Sequence, residues 1–222
     1  MSVVQSFFNS PWFIGTWLVL AVICVVLVIR DLVVNNSHLM SLMKVVWTLA
    51  VAYSGPVGLL IYWRTGRKEI PDDADWRRAF RSVAHCYSGC GLGEIIGVVL
   101  VTWLFAANNY VTAGVTFGLA YAIGFALSLG PLVQEGVALR KALKDTFVAE
   151  TPSILTMEVV AIAVDLTLAG KAHMGEPIFW ASLVVSLTLG LFAAYPVNYW
   201  LITHGIKEGM MDPRMTHHHP AS

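Results

Sequence analysis

Six long apolar runs dominate this chain, and they constrain its fold more than any other feature. Each has roughly 17 to 25 residues, the length that an α-helix needs to cross the hydrocarbon of a bilayer. Hydrophobic residues make up 57% of the chain and charged residues 13%, and the mean hydropathy is +0.68. Soluble domains do not have this balance. The predicted spans are residues 12–29, 44–63, 83–107, 111–134, 152–170 and 177–204.

The fold class that these runs predict is all-α, a polytopic membrane protein built as a bundle of about six transmembrane helices. Backbone polar groups in lipid must pair within their own segment, so the Gly and Pro inside the runs do not argue against helices. We expect residues 1–214 to form a single integral membrane domain. Residues 215–222 form a short His-containing tail that is either native or the remnant of an added tag.

The distribution of Lys and Arg predicts the orientation of such a bundle. With six spans, eleven of these residues fall on one side and three on the other. The richer side is expected in the cytoplasm. The expectation is therefore a multi-pass protein of the cytoplasmic (inner) membrane with both termini in the cytoplasm. Its partners are the lipid bilayer and either further copies of the chain or other membrane subunits. Nucleic acid is not expected, because the basic loops are short and explained by topology.

The start of the third span carries a row of groups that can bind metal. Cys86, Cys90 and Glu94 recur every four residues and therefore lie on one face of a helix, with His85 beside them. Soft thiolate ligands select soft metals, so these four residues predict a metal site. Copper is the first candidate, and zinc and haem iron stay open. The alternative is that both cysteines are small packing residues, since the spacing matches no zinc-finger or haem-attachment pattern.

His85 also begins a second row on the same helix. Gly89, Gly93 and Gly97 follow it at intervals of four residues. Glycines in such a row let another helix or a ligand approach the backbone closely. The row therefore predicts either a tight helix crossing inside the chain or a surface for self-association.

Other candidate ligands are spread over the chain. Imidazole and thioether groups in the two predicted external loops would suit an entrance for copper, and a kink at Pro196 in the last span would bring a further His to the site. Packing alone also explains the Met residues. The candidates are His38, Met40, His173 and Met174 at the entrance, Met157 in the fifth span, and His204 at the exit of the sixth.

Acidic residues within the spans predict a path through the bundle. Glu94, Glu158 and Asp165 lie in or near apolar runs, where a charged group costs about 2.5–3.5 kcal/mol on insertion scales. Glu158 and Asp165 are seven residues apart and so share a helix face. Such acids generally face the bundle interior or a water-filled path. We expect them to line a midway section that binds a cation or relays protons, or else to pair with polar neighbours.

Three segments together resemble a known family. They are His-Cys-x3-Cys-x-Leu-Gly-Glu at residues 85–94, Ala-Leu-Arg-Lys-Ala-Leu-Lys-Asp-Thr-Phe at 138–147, and Tyr-Pro-Val-Asn-x-Trp-Leu at 195–201. The chain is similar over residues 81–211 to a bacterial and archaeal family of polytopic membrane proteins described as a domain of unknown function. The resemblance implies a shared membrane fold but no activity. The matched motif positions are His85, Cys86, Cys90, Glu94, Pro196 and Asn198.

The sequence contains none of the usual enzyme motifs. It lacks a Walker loop, a Gly-x-Ser-x-Gly elbow, a His-Glu-x2-His zinc motif and a dinucleotide fingerprint, so an enzyme is the less expected reading and no catalytic residue is predicted. The function predicted is an integral membrane protein that binds or transports a soft transition-metal ion, most readily copper. The alternative is a non-catalytic structural or assembly subunit of a larger membrane complex.

Overall fold

The computed structural model describes residues 3–105, 109–134, 136–170, 172–173 and 175–215. Within these ranges the regular secondary structure is entirely helical, which confirms the predicted all-α fold. The helices are α1 (Val3–Phe8), α2 (Pro11–Val34), α3 (Ser41–Ser54), α4 (Pro56–Thr65), α5 (Asp75–Phe105), α6 (Asn109–Gln134), α7 (Leu139–Leu168) and α8 (Pro177–Thr203).

Five of the described helices are long and apolar enough to cross a membrane, namely α2, α5, α6, α7 and α8. This confirms a polytopic membrane bundle. Helix α5 lies at its centre, since α3, α4, α6, α7 and α8 all pack against it. Helices α2 and α6 are largely exposed along their apolar spans, as expected for surfaces that face lipid.

The run at residues 44–63, predicted as one span, is instead a helical hairpin in the structure. Helix α3 ends at Gly55, whose φ of +54° is a left-handed conformation that favours glycine, and Pro56 begins α4. The chain then turns back, so that Trp47 near the start of α3 meets Tyr62 near the end of α4, with ring centroids 5.3 Å apart. Both ends of this hairpin therefore lie at the same end of the bundle.

Contacts around the hairpin define one end of the bundle, which we call the basic end. The Tyr62 hydroxyl donates to Asp31 at 2.7 Å, and the Lys68 amide donates to Asn36 Oδ1 at 2.8 Å. The end of α2 is thereby joined to the end of α4. The guanidinium of Arg81 in α5 donates to the Thr65 carbonyl at 3.1 Å. The starts of α3 and α5 and the ends of α2 and α4 thus meet here.

The C-terminal segment also packs on the basic end, whereas α1 lies at the opposite end. His38 donates to the Pro213 carbonyl at 2.6 Å. In contrast, Gln5 donates to the Leu168 carbonyl at 3.4 Å, and Asn9 accepts from the Ile178 amide at 3.3 Å. This arrangement differs from the predicted one, in which both termini share one side. The hairpin removes one crossing, so α1 and the C-terminal segment lie at opposite ends.

The glycine row of α5 forms a close crossing with α6. A Cβ placed on Gly89 would lie 2.7 Å from Gly124 Cα, and one on Gly93 would lie 2.5 Å from Ala120 Cα. Gly97 meets Thr116 in the same way. The predicted close approach is confirmed, and it takes place inside the chain. The crossing runs antiparallel and leaves the Cys86 row of α5 free to face α7 and α8.

Candidate functional site

Buried polar and sulfur-containing side chains form a continuous row through the bundle, which we call the polar path. On α7 they are Glu150, Ser153, Glu158 and the half-buried Asp165, at intervals of three, five and seven residues along the side of the helix that faces the bundle. The corresponding faces of α5 and α8 lie opposite. From the far end to the basic end, the path consists of Asp165, Glu94, Glu158, Cys90, Cys86, Ser153, Asn198, Glu150 and Lys207.

A small cavity of about 50 Å³ lies at the far end of the path, between α5, α6, α7 and the start of α8. Glu94 and Asp165 bring carboxylates to its wall, and Thr112 and Thr116 bring hydroxyls. Ser182 donates a hydrogen bond to Asp165. The Glu94 side chain is 5% exposed, and its buried Oε2 has no hydrogen-bond partner in the described part of the chain. Glu94 thus places a buried carboxyl group without a full set of hydrogen bonds beside the cavity.

Both thiols lie in the middle of the path, one helical turn apart. Cys90 is fully buried and lies beside Cys86 and the Glu158 carboxyl. The Ser153 hydroxyl contacts Cys86 Sγ at 4.0 Å. Space for this arrangement comes from α6, because a Cβ on Gly124 would lie only 2.9 Å from Cys90 Sγ. The middle of the path thus holds two sulfur atoms beside one carboxyl group.

The Glu158 carboxyl connects the thiols to the acids of the cavity. Its side chain is 1% exposed, and Oε1 has no hydrogen-bond partner among the described residues. The charges of Glu94, Glu158 and Asp165 are close enough to interact. Three neighbouring carboxyl groups cannot all ionise at low cost in a buried site. At least one of them is therefore neutral when no cation is bound.

At the basic end, Asn198 joins four partners. Its amide donates to Ser153 Oγ at 2.5 Å and to the Ala194 carbonyl at 2.9 Å. Its Oδ1 accepts from Ser82 Oγ at 3.1 Å and from Lys207 Nζ at 3.0 Å. These bonds satisfy both donors and both acceptor positions of the amide. Asn198 therefore fixes the geometry between α5, α7 and the C-terminal segment.

The path ends at a buried ion pair. Lys207 Nζ donates to Glu150 Oε2 at 2.7 Å, and both side chains are less than one-tenth exposed. Beyond this pair, at the surface of the basic end, arginines stabilise carboxylates. The Arg77 hydrogen bond holds the pKa of Asp72 below its usual value, and Arg214 does the same for Asp212.

One family profile matches residues 75–207, and it is described as a domain of unknown function, DUF4396. The match covers more than half of the chain. The chain belongs to this family. No curated protein and no solved structure matches it. The DUF4396 region begins with α5 and ends at Lys207, so the entire polar path lies within it, whereas α1–α4 precede it.

The structure brings together some of the site residues predicted from the sequence of this DUF4396 member. Cys86 and Cys90 meet as expected, and Glu94 lies further along the same row. His85 lies beside the path rather than in it. Its Nδ1 is 3.4 Å from Ser128 Oγ on α6, and its buried Nε2 has no partner in the described chain. Glu158, predicted only for a midway section, is the carboxylate next to the thiols.

Two further predicted ligands lie at the end of α8 and in α7. His204 is exposed at the end of α8, where its Nδ1 donates to the Trp200 carbonyl at 2.8 Å. The end of α8 therefore directs this imidazole outward, and the structure does not bring it to the thiols. Met157 is fully buried and packs against Gly190. Across the described residues, no group of three or more His, Cys, Asp or Glu side chains is arranged to hold a metal ion.

The predicted external entrance is not assembled. His38 and Met40 follow α2 at the basic end, whereas His173 is exposed in the segment between α7 and α8 at the far end. The hairpin causes this separation, because it returns the first loop to the basic end. Met174 lies outside the described residues. The structure therefore does not bring the described residues of the two loops together.

Sequence reasoning missed Glu150, Ser153 and Lys207. Glu150 and Ser153 precede or begin the predicted fifth span, but α7 starts at Leu139 and brings them into the bundle. A usable signal was the row Thr146, Glu150, Ser153 and Met157, which recurs every three or four residues and shows that the buried face of α7 begins before residue 152. Lys207 could not be found this way. It pairs with a residue 57 positions away, and local periodicity carries no such information.

Proposed function

We propose that this protein carries a soft transition-metal ion across the membrane along the polar path, most readily copper as Cu(I). The observation that supports the proposal is the pair of buried thiols, Cys86 and Cys90, placed beside the Glu158 carboxyl midway along the path. Soft thiolate ligands select Cu(I) over hard cations. Two sulfur atoms suffice for this ion, since Cu(I) accepts two thiolates in a near-linear arrangement.

The flanking groups give this site access to both ends of the bundle. Glu94 and Asp165 line the far cavity, where carboxylates attract cations. On the other side of the thiols, Ser153 and Asn198 provide oxygen atoms that lead to the basic end. The path therefore offers a cation polar partners over its described length while apolar helices separate it from lipid.

The basic end belongs in the cytoplasm in this proposal. Every Lys and Arg of the chain except Lys171 lies in or next to a segment that meets this end. Such an imbalance favours the cytoplasmic side of a cytoplasmic membrane. The cavity with Glu94 and Asp165 then faces the opposite side, and α1 lies on that side as well.

Metal binding by purified protein tests the proposal. We expect the wild-type chain to bind Cu(I) stoichiometrically in a competition titration with a chromophoric Cu(I) chelator. The Cys86→Ser/Cys90→Ser variant should lose this binding, because oxygen is a poor ligand for a soft ion. Cys24→Ser is the matched control, since Cys24 is also buried but lies in α2, away from the path.

Transport is measured on the same variants in proteoliposomes loaded with a Cu(I) indicator. Wild type and Cys24→Ser should raise the internal signal above that of empty vesicles, and the double variant should not. A wild-type protein that binds no Cu(I), or a double variant that binds it as tightly, would contradict the proposal. The same titration with zinc and haem decides between the remaining metals.

The alternative, a structural or assembly subunit, has support on a different surface. Gly114 and Gly118 of α6 face open space, because a Cβ on either would meet no atom within 4 Å. Glycines four residues apart on a lipid-facing helix allow a second helix to pack closely. Under this alternative, Gly118→Leu lowers the native mass of the purified complex while Cu(I) binding is absent. Unchanged mass contradicts it.

A further inference from the structure

Lys207 reaches into the bundle from outside the helices. It follows α8 by four positions, in a segment that we call the C-terminal strap, residues 205–215. Gly205 has a φ of +68°, a left-handed conformation that reverses the chain after α8. The Lys207 amide then donates to the Leu201 carbonyl at 3.2 Å. The side chain is thereby directed back along α8, toward the end of the polar path.

Three hydrogen bonds attach the strap to the basic end of the bundle. The Met210 carbonyl accepts from Arg81 at 3.3 Å, and the Pro213 carbonyl accepts from His38 at 2.6 Å. The Arg214 guanidinium donates to the Pro71 carbonyl at 3.2 Å. These bonds join the strap to α5 and to the loops around the hairpin. They hold it across the mouth of the path.

The Lys207 ammonium occupies a position that suits a free cation. Glu150 Oε2 lies 2.7 Å and Asn198 Oδ1 3.0 Å from Nζ, and both oxygen atoms belong to buried side chains. Asn198 also contacts Ser153, which in turn contacts Cys86. Any cation that leaves the thiols toward the basic end must therefore pass these oxygen atoms.

Stability alone is a weak reason for this arrangement. The free energy needed to remove a carboxylate and an ammonium from water is about as large as the free energy of their attraction. A buried pair therefore often adds little net stability. This pair lies at the end of the polar path, and its cation belongs to the strap and not to a spanning helix. Lys207 is therefore placed so that it can leave the path together with the strap. Unlike a packed helix, a strap can leave by breaking a few hydrogen bonds.

We propose that Glu150 and Asn198 form an inner cation site, and that Lys207 is a tethered ammonium that fills this site and closes the path at the basic end. The site binds a small cation through oxygen atoms, and in this structure the cation is the primary ammonium of Lys207. The inference rests on the proposed function in one respect only, that the path conducts a cation. Closure itself is measurable without transport.

The test measures how fast a reagent reaches Cys86 from the basic end. In a Cys24→Ala/Cys90→Ala background, Cys86 is the one remaining thiol of a chain with three cysteines. A small cationic methanethiosulfonate is added to vesicles on the side of the basic end. Lys207→Ala should speed modification about tenfold, because the closed state loses two charge-assisted hydrogen bonds. Lys141→Ala, an exposed lysine of α7, is the matched control and should stay at the parent rate.

Chemical rescue distinguishes a cation site from a packing contact. In Lys207→Ala, n-butylammonium should slow the modification of Cys86 again, because it supplies the missing ammonium to Glu150 and Asn198. It should not affect the parent protein, whose site is filled. Lys207→Ala leaves Glu150 unpaired and could fail to fold for that reason. In that case the rate of Cys86 modification is measured in Glu150→Gln/Lys207→Ala, which leaves no buried charge without a partner.

An unchanged rate of Cys86 modification in Lys207→Ala would overturn the inference, and the double variant takes its place where the single one does not fold. Faster modification in Lys207→Ala that n-butylammonium leaves unchanged would also overturn it. Failure of the proposed function is separable from this result. It appears as a wild-type protein without Cu(I) binding, whatever the rate at which Cys86 is modified.

Discussion

At the residue scale, Asn198 is the side chain on which the basic half of the polar path depends. Its amide is fully buried and connects Ser82 of α5, Ser153 of α7 and Lys207 of the strap. A residue with four satisfied hydrogen bonds in an apolar bundle determines which neighbours meet and at what angle. The positions of the hydroxyl next to Cys86 and of the ammonium at the mouth both follow from it.

Replacing Asn198 should therefore destabilise the protein. We expect Asn198→Ala to lower the free energy of unfolding by about 1–3 kcal/mol, because it leaves buried polar partners without hydrogen bonds. Denaturant unfolding in mixed micelles measures the change. Thr203→Ala is the control on the same helix, since Thr203 is exposed and its hydroxyl bonds to carbonyls of α8 itself. Equal losses in the two variants would contradict the role given to Asn198.

At the element scale, the crossing of α5 and α6 explains why one face of α5 is made of glycine. The two backbones approach so closely that Gly93 has no room for a Cβ, and Gly124 leaves room for the Cys90 thiol. This close packing sets the rotation of α5. The rotation in turn places the Cys86 row toward α7 and α8. The glycines thus position the candidate site without contributing a functional group to it.

A large side chain in this crossing should separate the helices. Gly93→Leu is expected to lower the free energy of unfolding by about 1–3 kcal/mol or more, because the clash is with backbone that cannot rotate away. Gly118→Leu adds the same side chain to α6 where nothing lies within 4 Å and should be nearly neutral. Thermal unfolding of both purified variants measures the difference. A larger loss in Gly118→Leu would reverse the assignment of the two faces.

Much of this element-level arrangement could be predicted from the sequence, and the exceptions have physical causes. Apolar length identifies α2, α5, α6, α7 and α8, and the glycine row predicts the close crossing on α5. Hydropathy cannot distinguish residues 44–63 from a true span, because a buried hairpin is as apolar as a crossing helix. The signal was Gly55-Pro56 at its centre. The pairing of Glu150 with Lys207 joins distant segments, and no local pattern reports it.

At the scale of the whole molecule, the hairpin changes the membrane topology. With five crossings, every Lys and Arg except Lys171 belongs to segments that meet the basic end. The six-span prediction gave eleven against three, so the hairpin accounts better for the charge distribution. In the proposed orientation, the loop that contains Ser37 lies on the cytoplasmic side, whereas the six-span prediction places it outside.

Cysteine accessibility decides between the two topologies. In a chain without its native cysteines, Ser37→Cys should react with a membrane-impermeant maleimide only after the cytoplasmic face is exposed, because Ser37 lies at the basic end. Gly175→Cys, exposed between α7 and α8 at the far end, should react in intact cells. Labelling of Ser37→Cys in intact cells would restore the six-span arrangement.

The hairpin also bears on how the chain is inserted during synthesis. Residues 44–63 leave the ribosome before α5 exists, and a run of that length and hydropathy satisfies the requirements of a crossing segment. The contacts that hold the hairpin back, such as that of Tyr53 with Gly91 of α5, form only later. We therefore expect α3 and α4 to reach their final hairpin arrangement only after α5 has been made, and to be able to reverse until then.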